Sequence, residues 1–128
     1  MELAGMTKGQ AIQEFFSSFD LPAYPLSSVP DDVIFPYLTY QLITDAGIGN
    51  TVTIPVSLWF YTESEAIPNA KAAQISAEIG YGGTVLQFDG GAVWVRRGTP
   101  WCRSERDDTA PNIKLRTLNV ELEYISAN

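Results

Sequence analysis

The sequence predicts an α+β fold, in which a mostly antiparallel, mixed sheet of about four to five strands packs against an N-terminal helix and one middle helix. Two observations support this fold class: strand-like segments come in pairs, and a single helical segment precedes each pair. The size and composition of the chain agree with this fold class, because 128 residues with 45% hydrophobic and 18% charged residues suit one ordered domain with a real core. We expect residues 1–128 to form a single domain, with a loose N-terminus over residues 1–6.

The first helix is predicted to begin after Thr7 and to end before Pro22. Thr7 followed three residues later by Gln10 is typical of a capping box. Four apolar residues then recur at helical spacing and form one stripe that we expect to face the core: Ile12, Phe15, Phe16 and Phe19. Four prolines make residues 20–36 an extended connector rather than a strand or a helix.

Two strands are predicted next, over residues 37–44 and 51–62, and a loop joins them into an antiparallel hairpin. Strict alternation in the second strand places five apolar residues on one face: Val52, Ile54, Val56, Leu58 and Phe60. Trp59 falls on the opposite, polar face, where it either marks an interface or packs under the helices. Pro55 cannot donate to the ladder and indicates a sheet edge or a bulge.

A second helix is predicted over residues 68–79, because Pro68 suits a first helical turn and Gly80 suits a left-handed stop. Residues 84–88 and 92–97 flank an Asp-Gly-Gly sequence that is typical of a hairpin turn. These two strands form the second pair of the predicted sheet.

A long polar loop is predicted over residues 98–112, and loops of this length are usually functional or disordered. The last strand covers residues 113–125. Apolar residues alternate in one phase before Thr117 and in the other phase after it. This change of phase indicates a bulge or bend near Thr117.

Composition excludes the common catalytic and metal sites. The chain has no His, so it has neither a Ser-His-Asp triad nor a His-ligated metal, and its one cysteine, Cys102, excludes an internal disulfide. We therefore predict no catalytic residue, no metal ion and no cofactor. Cys102 lies among arginines that are expected to lower the pKa of its thiol, although an incidental cysteine is the simpler interpretation.

Charge points to a protein interface. A net charge of −7 argues against general binding of nucleic acid or of an anionic membrane. Arginine and tryptophan are residue types that are enriched in interface hot spots, and they cluster over residues 96–106. The candidate interface residues are Arg96, Arg97, Trp101, Arg103 and Arg106, together with Trp59. The alternatives are an ordinary solvated loop and a nucleic-acid contact. Acidic residues next to these arginines weaken the nucleic-acid interpretation.

The order of elements over residues 7–125 resembles the small tail-completion and tail-terminator proteins of long-tailed bacteriophages. The most suggestive feature is a strand that begins at Phe35-Pro36-Tyr37, after a loop with the acid pair Asp31 and Asp32. The resemblance implies an α+β sandwich that is not an enzyme. It also implies rings, commonly hexamers, that cap the tail and join it to the head connector.

The resemblance further implies the partners and the location of the chain. The partners would be copies of itself, the tail tube protein and head connector proteins, with no membrane and no small-molecule substrate. DNA would pass through the lumen of the ring without specific binding, which the acidic composition favours. The protein would be assembled in the bacterial host cytoplasm and would reside in the virion, at the head-proximal end of the tail.

Two other functions stay open on the sequence. One is a monomeric adaptor or inhibitor domain that binds a partner through the arginine-rich segment. The weaker one is a small carboxylate-dependent enzyme that uses some of the loop acids: Asp31, Asp32, Asp107 and Asp108. Catalytic acids usually gather in an apolar cleft, whereas these all lie in proline-rich or polar segments.

Overall fold

The structure, a computed structural model, describes residues 6–43, 50–106 and 110–125. Within those ranges two α-helices and six strands form an α+β fold, which confirms the predicted fold class. The helices are α1, Lys8–Ser17, and α2, Ala66–Ile79. The strands are β1, Ala23–Pro25; β2, Tyr37–Tyr40; β3, Thr51–Tyr61; β4, Thr84–Phe88; β5, Gly91–Arg106; and β6, Ile113–Tyr124.

The strands form one mixed sheet in the order β1-β2-β3-β6-β5-β4. β1 and β2 pair in parallel, and the other described neighbours pair antiparallel. The sheet exceeds the predicted strand number because Ala23–Pro25, in the predicted connector, pairs with Leu38–Tyr40. A proline-rich segment is already extended, and an edge strand tolerates Pro25 because one side of it needs no ladder bonds.

Both helices pack against one face of this sheet. On β3 and β6 alternate residues are buried, as predicted for β3 and for the end of β6: Ile54, Val56, Leu58, Phe60, Leu118, Val120, Leu122 and Tyr124. The helices contribute Ala11, Ile12, Phe16, Ala72, Ile75 and Ile79 to the same core. Lys71 Nζ donates to the carbonyl oxygen of Phe19 at 2.9 Å and links α2 to the segment that follows α1.

The predicted capping box at the start of α1 is confirmed, and α2 ends at Gly80 as predicted. Thr7 Oγ1 accepts from the backbone N–H of Gln10 at 3.1 Å, and Gln10 Oε1 accepts from that of Thr7 at 2.9 Å. Gly80 ends α2 with a positive φ of 84°, which glycine adopts without strain, but its ψ of 164° lies outside the left-handed helical region that was predicted. The helix α1 is shorter than predicted, but Phe19 beyond its end is still fully buried.

Both predicted hairpins are confirmed. β2 pairs with β3 from Tyr37–Trp59 to Tyr40–Val56, and β4 meets β5 at Phe88–Gly91. Of the loop predicted between β2 and β3, residues 45–49 lie outside the described residues. Met6 corrects the predicted loose N-terminus, because its carbonyl oxygen accepts from the N–H of Asp89 at 2.7 Å; residues 1–5 lie outside the described part.

Pro55 sits in β3 without a bulge. The β3–β6 register runs through Pro55–Asn119 without interruption. The Pro55 carbonyl oxygen accepts from the N–H of Gln41 at 3.4 Å, so the ladder groups of Pro55 point toward β2 and away from β6. The N–H that a proline lacks would point to a position beyond the end of β2, where no described strand needs it. Pro55 therefore lies at a local sheet edge.

Two predictions for the C-terminal part are wrong. Residues 98–106 belong to β5 rather than to a loop, because a strand can carry polar residues where its face is open to solvent. The bulge lies in β5, where the β5–β6 register jumps from Arg97–Val120 to Cys102–Leu118. β6 itself keeps its phase through Thr117.

Arg116 accounts for the change in apolar alternation that predicted a bulge near Thr117 in β6. It lies on the core face and is 2% exposed. Its Nε donates to Asn69 Oδ1 at 2.8 Å, and its Nη2 donates to Glu65 Oε1 at 2.5 Å. The hydrogen bond from Arg116 holds the pKa of the Glu65 carboxyl below its ordinary value. A charged residue thus occupies a core position and fastens the start of α2 to β6.

Candidate interaction surfaces

An aromatic cluster covers part of the sheet face that is opposite the helices. We call it the aromatic surface; its members are Tyr24, Phe35, Tyr37, Trp59 and Tyr61. Tyr37 and Trp59 stack with ring centroids 5.9 Å apart and planes 8° apart. Phe35 contacts Tyr37 at 5.3 Å and Tyr61 at 5.9 Å between centroids. The rings therefore form one continuous patch across β1, β2 and β3.

Trp59 is held in place by a hydrogen bond. Its Nε1 donates to Thr39 Oγ1 at 3.0 Å, and Thr39 is itself buried. This position excludes packing of Trp59 under the helices and leaves it as a half-buried member of an open face. Tyr61, at the rim of the patch, is 64% exposed. Trp59 was predicted as an interface residue, but its aromatic neighbours were not. Their signal in the sequence is the group of aromatic residues at the start of β2 and at the end of β3.

The predicted arginine interface does not form one patch, because successive residues of a strand point to opposite faces. Arg96 lies on the helix-free face, where Nη1 contacts Glu123 Oε1 at 2.9 Å and Nε contacts Glu121 Oε1 at 3.4 Å. Its guanidinium carbon is 4.3 Å from the centroid of the Trp94 ring. Arg96 is therefore satisfied within the chain.

Arg97 and Arg103 differ from Arg96 in their partners. Arg97 lies on the helix side, and its Nη1 donates to Ser76 Oγ of α2 at 2.9 Å. Arg103 is exposed, and its Nε is 3.6 Å from Glu105 Oε2, a pair that contributes little in open solvent. The side chain of Arg106 lies outside the described part of the chain.

Trp101 and Cys102 pack inward rather than offering exposed anchors. Trp101 Nε1 donates to the carbonyl oxygen of Ala72 at 3.3 Å, and both residues contact the core. Burial raises the pKa of the Cys102 thiol, and the charge of Arg116 offsets this only in part. The expected lowering of that pKa is therefore wrong, and the thiol lacks the character of an activated nucleophile.

The β5 bulge opens a cleft of about 360 Å³, which we call the arginine cleft. It is lined by Ser76, Tyr81, Arg96, Arg97, Gly98, Thr99 and Trp101. Gly98 permits the bulge, because a Cβ there would meet the Asn119 carbonyl oxygen at 2.8 Å. Asn119 Nδ2 donates to the Pro100 carbonyl oxygen at 2.7 Å and fixes the bulge to β6. Among the described residues, no carboxylate lines this cleft.

An acidic loop precedes β2 at the other end of the sheet. We define it as residues 29–34, and it carries Asp31 and Asp32, which are both exposed. The loop also carries Ile34, which is 79% exposed, and it follows Leu26, which is 58% exposed. The structure places this acid pair in an open turn, outside any apolar cleft that catalysis by carboxylates would use. Asp107 and Asp108 lie outside the described residues.

Over the described ranges, no group of three or more His, Cys, Asp or Glu side chains is placed to hold a metal ion. Every buried side-chain nitrogen or oxygen in that part of the chain has a hydrogen-bond partner. No helix among the described residues is long and apolar enough to span a membrane.

Comparison with known proteins adds no relative. A scan against protein-family models gives no match, and neither curated proteins nor solved structures give one.

Proposed function

We propose that the chain is a structural assembly protein of a tailed-bacteriophage virion, a ring-forming tail terminator or head–tail joining subunit without catalytic activity. The resemblance of residues 7–125 to that family supports the proposal. So does the α+β architecture, which agrees with the fold that the resemblance implies. In this proposal the partners are copies of the chain, the tail tube and the head connector, and the site of action is the head-proximal end of the tail.

One observation carries the proposal: the sheet has two chemically different surfaces at its two ends. The aromatic surface lies on β1, β2 and β3, the arginine cleft lies on β5, and β6 separates them. Each subunit of a ring touches two neighbours through different patches, because head-to-tail contacts are heterologous. A monomeric adaptor needs only one such surface.

The acidic charge supports the same proposal. A net charge of −7 on a small subunit would be multiplied in a ring and would repel DNA phosphates. DNA would then pass through the lumen without being retained. Carboxylates facing the lumen are the expected arrangement, and a lumen lined by basic side chains would contradict this part of the proposal.

The test is the absolute mass of the protein in solution, measured by light scattering over a wide concentration range, followed by electron microscopy of large species. We expect closed rings, formed either alone or after addition of purified tail tubes. A protein that stays monomeric under both conditions contradicts the proposal and favours the adaptor or inhibitor function. Calorimetry against candidate partners would then become the next experiment.

A further inference from the structure

We propose that Asp31 and Asp32 of one copy bind in the arginine cleft of the next copy and so form the contact between neighbouring subunits. This inference rests on the proposed function, because it names the contact that would build the ring. It commits to a second copy of this chain as the occupant of the cleft.

The cleft holds a cation that lacks a carboxylate partner within the described residues. The hydrogen bond that the structure gives the Arg97 guanidinium goes to the neutral hydroxyl of Ser76, and none of the described ion pairs includes Arg97. Its neighbour Arg96 is already paired with Glu121 and Glu123. A half-buried guanidinium has planar donors that match a carboxylate, so a carboxylate from outside is the complementary ligand.

The acidic loop has the matching chemistry. No described ion pair involves Asp31 or Asp32, and both side chains are exposed. Ile34 beside them is 79% exposed, and Tyr81 at the rim of the cleft is 99% exposed. Docking would therefore surround the charge pair with apolar contacts that exclude water from it.

The places of the two features in the fold suit a ring. The acidic loop joins β1 to β2 at one edge of the sheet, whereas the cleft lies on β5, next to β4 at the other edge. A contact between two different patches is heterologous and can be repeated from copy to copy. Contact between two identical patches would stop at a dimer.

A phosphate of a nucleic acid is the competing ligand for Arg97. Two observations disfavour it: the net charge of the chain is −7, and the second guanidinium of the cleft, that of Arg96, is already paired with Glu121 and Glu123. Several cationic contacts are normally needed to hold a nucleic acid at physiological salt. The one guanidinium of the cleft without a described carboxylate partner, that of Arg97, falls short of that number and fits a protein carboxylate better.

Charge exchange tests the contact. We expect Arg97→Glu alone, and Asp31→Lys with Asp32→Lys, to weaken self-association about 100-fold, because each leaves like charges facing each other. A chain that carries all three substitutions restores opposite charges and should assemble again. The control is Glu14→Lys with Glu63→Lys, which changes the net charge equally on other exposed positions and should assemble normally. Sedimentation velocity measures assembly, and urea unfolding confirms that each variant is folded.

The outcomes separate this contact from the proposed function. If the wild type forms rings and folded Arg97→Glu forms them equally well, the contact is wrong and the proposed function stands. If Arg97→Glu loses retention of a short DNA duplex and keeps its assembly, the cleft serves nucleic acid and the contact is overturned. A wild type that stays monomeric, with and without tail tubes, overturns both proposals.

Discussion

The strand β6 meets its two neighbours in different ways. With β3 the register runs from Tyr61–Ile113 to Thr51–Glu123 without interruption. With β5 it breaks between Arg97 and Cys102, where β5 carries extra residues and bulges away from the sheet. The regular side supplies much of the buried core, and the irregular side supplies the arginine cleft.

The difference shows where stability and function divide in this fold. An uninterrupted ladder satisfies its own backbone and buries the alternate side chains that face the helices. A bulge re-aims side chains and opens space, and bulges often lie beside binding sites. We therefore expect changes in the buried core of the regular side to affect unfolding, and changes at the bulge to affect association as well.

The largest effect on unfolding is expected from Leu58→Ala in β3. Leu58 is fully buried, and its truncation leaves a cavity that should cost about 2–5 kcal/mol of unfolding free energy. The control is Thr53→Ala on the opposite, exposed face of the same strand, which should change it by less than about 0.5 kcal/mol. Urea unfolding followed by tryptophan fluorescence compares them, and equal costs would contradict the assignment of the two faces.

Gly98→Ala is expected to disturb the irregular side. A Cβ at this position would lie 2.8 Å from the Asn119 carbonyl oxygen and 2.9 Å from Asn119 Cβ, so the bulge must shift. We expect a loss of about 1–3 kcal/mol in unfolding free energy, together with weaker self-association. Gly82→Ala is the matched control, because nothing lies within 4 Å of its added Cβ. A neutral Gly98→Ala would show that the bulge is not held against β6.

The buried Arg116 can be tested by removing its carboxylate. Glu65→Ala should lower the urea midpoint, because it leaves a guanidinium that is 2% exposed with the Asn69 oxygen and backbone as its described partners. Adding Arg116→Met should recover most of the loss, since the charge is then gone from the core. If the double variant is no more stable than Glu65→Ala, the pair is not the cause.

The pH dependence of unfolding should report the same pair. The hydrogen bond from Arg116 lowers the folded-state pKa of Glu65 below the ordinary 4.5. The stabilisation is therefore fully present above that value and is lost as the pH falls through the lower folded-state pKa. Urea midpoints measured from neutral pH downward should fall less steeply in Glu65→Gln than in the wild type. Parallel curves would contradict the assignment.

The smallest effect on unfolding is expected from Tyr61→Ala on the aromatic surface. Tyr61 is 64% exposed, so the unfolding free energy should change by less than about 0.5 kcal/mol. Self-association should nevertheless weaken, because exposed aromatic residues are frequent interface anchors. Ile125→Ala, at a position that is 52% exposed and outside both surfaces, serves as the control and should assemble normally.

Features that depend on residues close in sequence could be predicted. Features that depend on pairing between distant residues could not. The capping box at Thr7 and the alternation around Leu58 depend on neighbours in sequence, and both are confirmed. The strand over residues 98–106 has polar composition and exists because β6 pairs with it. Arg116 could not be predicted to lie on the core face of β6, because its partner Glu65 is distant in sequence.

The candidate site was less predictable than the fold. Arg97 and Trp59 were identified by residue type, but the faces on which they lie depend on the bulge and on the sheet. The acidic loop was noticed as an acid pair, and its place opposite the arginine cleft follows from the strand order. A sequence pattern can thus identify the residues of a candidate interface without giving their arrangement in space.

The most direct test of the head-to-tail account is the mass of an equimolar mixture of two blocked variants. Arg97→Glu keeps the acidic loop, and Asp31→Ala with Asp32→Ala keeps the arginine cleft. Light scattering should find each variant monomeric alone and the mixture at twice the mass of one chain, because a single intact contact joins one copy of each. Under conditions in which the wild type assembles, a mixture that stays monomeric, or either variant forming rings alone, would contradict the account.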